Sequence, residues 1–281
     1  MAKLSVQQIE FYQQNGYLVI GQLLDFETLY SYKKRFLQIC NGIVPKGQMT
    51  IATEHKLKDS KKKPEDYTNK IQDFLYDDVL STYAEDPRLL NVVTQLIGDE
   101  VSAMHSMFIN KPPGTDEHPP HQDLYYFPFR PADKIVAAWT AVDACTARNG
   151  CLYVLPRTHR PRRLYTHAYT SIQSKLYHGI TDPTVALEKD RVHLEMSPGD
   201  TVFFHPYLIH GSGPNITKNY RKSISCHFAS NDVTYINVEG TVQEPIAKEV
   251  VQEAKRRGLE LSYEDIWKYR SKPVKTIKSH L

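Results

Sequence analysis

Arg221-Lys222-Ser223-Ile224-Ser225-Cys226-His227-Phe228 is the stretch on which the fold turns. Ile224, Cys226 and Phe228 alternate with Ser223, Ser225 and His227, the two-residue period of a strand with one apolar face. Working outward, short runs of the same kind are predicted at Val101–Asn110, Ile135–Val142, Cys151–Leu155, Val192–Met196 and Thr201–Phe204. Pro198-Gly199-Asp200 supplies a turn between two of them, and Asn149-Gly150 reads as a hairpin turn. The ends of the chain read differently. Ser5-Val6-Gln7-Gln8 is a capping-box pattern, and Leu29, Tyr32, Phe36 and Cys40 recur at helical spacing. Asp86-Pro87 opens a helix expected to run to Ile97, and Ser262-Tyr263-Glu264-Asp265 opens another near the C-terminus. The expected fold class is mainly β with flanking helices, a barrel or sandwich. We expect one domain over 1–281, with a helical part at about 1–98, a β core at about 101–230 and a helical tail at about 244–281.

Composition narrows the class. Apolar residues are 41% and charged residues 24%, too apolar for a disordered chain, and 281 residues can bury a full core without a disulfide or metal to staple it. A net charge of +3 does not suit a general nucleic-acid binder. There is no apolar run of the roughly 18 residues that spans a bilayer, and no secretory segment follows Met1. The four cysteines form no C-x-x-C motif and read as reduced thiols. Lys61-Lys62-Lys63-Pro64 reads as a solvated loop.

Twelve histidines justify a search for metal ligands. In extended chain, residues i and i+2 share a face, so His121 and Asp123 of His121-Gln122-Asp123 can converge on one ion. His210-Gly211-Ser212-Gly213 offers a third ligand. Two imidazoles and one carboxylate form the facial triad of non-haem Fe(II) oxygenases, with three positions left open. Two of those suit a chelating 2-oxoacid and the third suits O₂. The far carboxylate of 2-oxoglutarate then calls for a bidentate cation, a role that Arg221 fits, with Ser212 as a further donor. His205 is a rival ligand read instead as a neighbouring structural residue. His105 and Trp139 lie in apolar strands where core packing serves equally well. Arg157, His159, Arg160, Arg162 and Arg163 read as an exposed loop, with a phosphate clamp as the alternative. On ligands alone, a zinc hydrolase or a binding module that has lost catalysis also remains open.

The run His121-Gln122-Asp123-Leu124-Tyr125-Tyr126-Phe127-Pro128-Phe129-Arg130-Pro131 resembles the iron-binding segment of the phytanoyl-CoA dioxygenase family. Asn149-Gly150-Cys151-Leu152, Gly199-Asp200-Thr201-Val202-Phe203-Phe204-His205-Pro206, His210-Gly211-Ser212-Gly213 and Ser223–Ser230 extend the resemblance, which runs from about Phe11 to about Trp267. It implies a double-stranded β-helix, a cupin-like jelly roll, that uses Fe(II), 2-oxoglutarate and O₂, with ascorbate as reductant. It implies iron ligands at His121, Asp123 and His210, and cosubstrate contacts at Lys70, Met107, Gln122, Trp139, Ser212 and Arg221. Family halogenases lack the carboxylate ligand, so Asp123 points to hydroxylation. The implied substrate is phytanoyl-CoA or another 3-methyl branched acyl-CoA, attacked at carbon 2 at the start of α-oxidation; a different small metabolite is the alternative. The chain departs from the family in two places. Nothing like the N-terminal peroxisomal signal of mammalian members precedes Leu4, and Ser279-His280-Leu281 is expected to engage the import receptor instead. Arg157 stands where relatives often have glycine, which puts the local turn in question.

Overall fold

A computed structural model describes residues 3–59, 61–169 and 176–275; the Ser279-His280-Leu281 end lies outside the described residues. Helix α1 (Val6–Asn15) begins with the expected box: Gln8 N–H donates to Ser5 Oγ at 3.1 Å, and Ser5 N–H donates to the Gln8 side chain at 2.8 Å. Gly16 stops it with φ +81°, the left-handed conformation that glycine adopts without a Cβ penalty. Strand β1 (Tyr17–Ile20) follows, then helix α2 (Phe26–Cys40), capped by Asp25. Leu29, Tyr32 and Phe36 face the core as their spacing predicts, but Ile39 completes the stripe where Cys40 was expected.

Strands β2 (Thr50–Thr53) and β3 (Thr68–Gln72) were not expected, because their threonines, Asn69 and Lys70 mask the strand period. Helix α3 (Pro87–Ile97) matches its predicted bounds. Next come β4 (Val101–Lys111), β5 (His118–His121), β6 (Ile135–Ala141), β7 (Leu152–Val154), β8 (Val192–Leu194), β9 (Thr201–Phe204), β10 (His210–Ser212) and β11 (Arg221–Ser230). Helices α4 (Glu244–Arg256) and α5 (Tyr263–Arg270) follow, and Lys272–Pro273 then pairs with β4.

The large sheet runs β1-β9-β6-β11-β4-β3-β2, and the small sheet runs β8-β7-β10-β5. All these pairings are antiparallel. This is the jelly roll. Strand β11 sits centrally, paired along one edge with β4 and along the other with β6. Its apolar face, Ile224, Cys226 and Phe228, joins Phe108 of β4 in a core closed by Phe36 of α2 and by Leu89 and Val93 of α3. Phe36 stacks on Phe108 with ring centroids 4.5 Å apart. Full burial of each such ring contributes roughly 1.5–3 kcal/mol. The opposite face of the sheet looks into the barrel.

Two turns need comment. Gly199 has φ +93°, and a Cβ there would stand 2.2 Å from the Leu24 carbonyl oxygen, so Pro198-Gly199-Asp200 turns only with glycine. Asn149-Gly150 is not a hairpin turn. It ends a 3-10 turn (Ala147–Asn149), because β6 and β7 on either side of it belong to different sheets.

Candidate metal centre

The register of the small sheet sets two imidazoles opposite each other. His210 of β10 pairs with His121 of β5, and their ring centroids are 4.2 Å apart. Strand β5 ends at His121, but Gln122 stays extended (φ −123°, ψ 126°), so the alternation carries one step further to Asp123. Asp123 therefore returns to the side of His121 from the first residue of a 3-10 turn, not from within a strand. Nε2 of His121 lies 3.5 Å from Asp123 Oδ1, and Nε2 of His210 lies 3.7 Å from Oδ2. One ligand atom from each of the three falls within 4.8 Å of the others, and all three residues are buried.

The tautomers follow from the backbone. His121 Nδ1 donates to the Pro119 carbonyl at 2.9 Å and His210 Nδ1 to the Leu208 carbonyl at 3.0 Å. A carbonyl only accepts, so each Nδ1 carries a proton, and Nε2 is the nitrogen that each ring presents toward Asp123 for a metal. Burial pushes His210 down to about 4, with His121 beside it adding to the effect. Burial alone would raise Asp123, but the His210 and His227 imidazoles outweigh it and hold the carboxyl well below the usual range. Two imidazoles and one carboxylate converging in a buried site fit a divalent first-row metal ion.

His227 was not singled out in the sequence. It donates from Nε2 to Asp123 Oδ2 at 2.7 Å, packs edge-on to Phe127 and stacks on His105 with centroids 5.7 Å apart. The signal was present, since His227 belongs to the polar set of the alternating stretch. His105 faces inward and hydrogen-bonds Gln72 through Nε2 at 3.2 Å.

Register also orders the inner face of the large sheet, because residues directly opposite on neighbouring strands share a face. His227 stands beside His105. In the next row Trp139, Ser225, Met107 and Gln72 lie side by side. Then come Ala141, Ser223, Ile109 and Lys70, and last Arg221 beside Lys111. Trp139, Met107, Lys70 and Arg221 therefore share one wall. Ser212 joins them from the small sheet, its Oγ accepting from Lys111 Nζ at 2.9 Å. The Arg221 guanidinium lies 5.5 Å from the Trp139 ring and donates to Ser223 Oγ and the Gly150 carbonyl. Lys70 Nζ lies over the Tyr177 ring at 5.6 Å, and burial pushes its ammonium down to about 8.

Gln122 is placed differently from the rest. Its side chain points away from the metal ligands and is spent on backbone: the amide donates to the Arg163 and Tyr207 carbonyls, and the oxygen accepts from Tyr165 N–H. His205 has the expected structural place, with Nε2 3.1 Å from Asp133 and Nδ1 accepting from Tyr207 N–H. In the basic loop, Arg162 pairs with Asp133, Arg163 stacks on Tyr165, and Arg157 and Arg160 are exposed. Arg157 has φ +70°, the left-handed conformation that glycine adopts most readily.

The chain beyond β11 holds the ligand loop in place. The Gln243 amide lies 2.9–3.1 Å from the carbonyls of Leu124, Tyr125 and Phe127, its oxygen accepts from Arg130, and Trp267 packs on Phe127.

A family model described as Phytanoyl-CoA dioxygenase (PhyH) matches residues 12–223. The chain belongs to this family. A probable phytanoyl-CoA dioxygenase of Caenorhabditis elegans is 45% identical over 300 residues, covering 99% of this chain and 95% of its own length. The peroxisomal phytanoyl-CoA dioxygenase of Homo sapiens is 45% identical over 289 residues, covering 99% and 85%. Solved structures share the fold at lower identity. EctD from S. alaskensis aligns with a TM-score of 0.64 at 21% identity, over 81% of this chain and 77% of its own. The epimerase SnoN in complex with Fe3+, alpha ketoglutarate and nogalamycin RO aligns with a TM-score of 0.62 at 18% identity, over 83% and 86%. The jelly roll that the family resemblance implied is the architecture observed, and it narrows the barrel or sandwich read from the alternating strands.

Proposed function

We propose that this dioxygenase uses Fe(II) and 2-oxoglutarate to hydroxylate carbon 2 of phytanoyl-CoA or a similar 3-methyl branched acyl-CoA. One observation carries the reading: a buried His121, Asp123 and His210 cluster shares the barrel interior with a buried Arg221 that has no acidic partner among the described residues. His121, Asp123 and His210 hold the iron. Arg221, Ser212 and Lys70 orient 2-oxoglutarate, Met107 and Trp139 flank it, and Gln122 braces the loop between two ligands. Iron held there would couple the decarboxylation of 2-oxoglutarate by O₂ to oxidation of the carbon-2 C–H bond. The overall balance is acyl-CoA, 2-oxoglutarate and O₂ giving 2-hydroxyacyl-CoA, succinate and CO₂. Ascorbate serves as the external reductant.

The chain's own residues do the positioning. His227 holds Asp123 Oδ2 at 2.7 Å, and Phe204 packs on His210 at 4.6 Å, keeping water from one side of the ring. Relatives from human, rat and mouse are named peroxisomal, which supports a peroxisomal location, with the import receptor engaging Ser279-His280-Leu281. Among the described residues no helix is long and apolar enough to cross a membrane.

The test is an Fe(II)-dependent product assay over a panel of 3-methyl and straight-chain acyl-CoAs, with the free acids alongside. Succinate and 2-hydroxyacyl-CoA should appear together with the branched thioesters. Succinate formed only with a non-thioester metabolite would overturn the substrate. Deleting Leu281 from a fluorescent fusion should leave the protein outside peroxisomes, and continued import would overturn the receptor assignment.

A further inference from the structure

Arg221 and Lys111 close the last row of the inner wall as direct register partners on β11 and β4. Two cations side by side repel, and here they are only 2% and 3% exposed. Neither forms an ion pair within 4 Å among the described residues, and the Arg221 Nε–H has no hydrogen-bond partner. A buried charge without a counter-charge is costly, and Lys111 is pushed well down by burial first and by Arg221 second. Glu54, Glu117 and Asp116 act on it only at longer range.

Lys111 is also confined. Its stem runs against the bare Cα of Gly150, where an added Cβ would meet Lys111 Cδ at 2.8 Å. The same glycine's carbonyl accepts from Arg221 at 2.7 Å. The ammonium is buried with the stem and donates to Ser212 Oγ. A residue needed only to fill this space would be better served by an apolar side chain of equal length.

We infer that Lys111 is a second cationic anchor for the far carboxylate of 2-oxoglutarate, acting together with Arg221 and Ser212. The inference rests on the cosubstrate proposed above and assigns it a residue that the family resemblance did not supply. One carboxylate placed between the two cations relieves their repulsion and supplies an acceptor for the unpartnered Arg221 Nε–H. A 2-oxoacid without that carboxylate gains nothing from Lys111.

The experiment is a titration of the full-length protein loaded with Mn(II), comparing 2-oxoglutarate with 2-oxopentanoate, which has the same chain but no far carboxylate. Wild type should prefer 2-oxoglutarate. Lys111→Met should weaken 2-oxoglutarate by about 10- to 100-fold, the range expected for a lost charged hydrogen bond. Affinity for 2-oxopentanoate should stay unchanged, and the melting temperature without ligand should be equal or higher because a buried repulsion is gone. Lys111→Gln, which keeps a donor for Ser212 but no charge, is read the same way if the methionine variant does not fold. Undiminished discrimination in the variant overturns the role of Lys111, as does an equal weakening of both ligands with a lower melting temperature. Wild type that binds neither 2-oxoacid overturns the proposed function itself, and the inference with it.

Discussion

Strand β11 presents two faces to two different surroundings. Ile224, Cys226 and Phe228 look outward into a dry core under α2 and α3, where Phe36 and Phe108 are fully buried. Arg221, Ser223, Ser225 and His227 look inward, and Arg221 Nε, Ser225 Oγ and His227 Nδ1 have no hydrogen-bond partner among the described residues. Buried polar groups are normally satisfied, so this asymmetry has a meaning. The outward face stabilises the fold. The inward face gives up some stability so that groups stay free for a ligand.

Substitutions confined to one face test that division. The largest effect is expected from Asp123→Ala, which removes the sole anionic member of the ligand set: iron-dependent succinate formation should fall to background while circular dichroism stays native. Wild-type succinate formation would sink the ligand assignment. On the outward face, Phe108→Ala should cost about 3–5 kcal/mol in urea denaturation through the cavity it leaves, with Mn(II) affinity retained by the folded fraction. A cost below about 1 kcal/mol would mean that face is not the packed one. Returning inward, Arg221→Lys should raise the 2-oxoglutarate concentration for half-saturation by about tenfold, because an ammonium cannot reproduce the two-pronged donor geometry. Its urea midpoint should match wild type. An unchanged cosubstrate titration would assign the carboxylate elsewhere. The smallest shift is expected outside both faces: Arg157→Gly relieves a left-handed backbone worth about 1–2 kcal/mol but adds unfolded-state freedom of about 0.5–1 kcal/mol. A net gain within about 1 kcal/mol should appear in the melting curve, and a loss would show that the Arg157 side chain stabilises its turn.

The sequence disclosed one face more readily than the other. Strands with apolar alternation, such as Thr201–Phe204 and the β11 stretch, and the capped helix Pro87–Ile97 were legible because local pattern and tertiary burial agree there. Strands β2 and β3 are too polar for that signal, and His118-Pro119-Pro120-His121 hides β5 because proline removes ladder donors. Asn149-Gly150 looked like a hairpin because local turn chemistry does not say which sheet each flanking strand joins. The ligand triad could be read from spacing and from resemblance to a family. Lys111 could not, since it gains its neighbour only through strand register, and of His227 the alternation shows the inward face but not its partner Asp123, which comes from a packed loop.

Gln243 gives the chain's linear order a further consequence. Its amide meets the Leu124 carbonyl across 119 positions of sequence, and it braces the loop that carries Asp123. During synthesis His121 and Asp123 leave the ribosome well before His210, and Gln243 leaves later still. Sequence order thus becomes assembly order. The metal loop is made early but receives its final brace only when the last part of the chain has arrived, so a nascent chain cannot finish the site ahead of the rest of the fold.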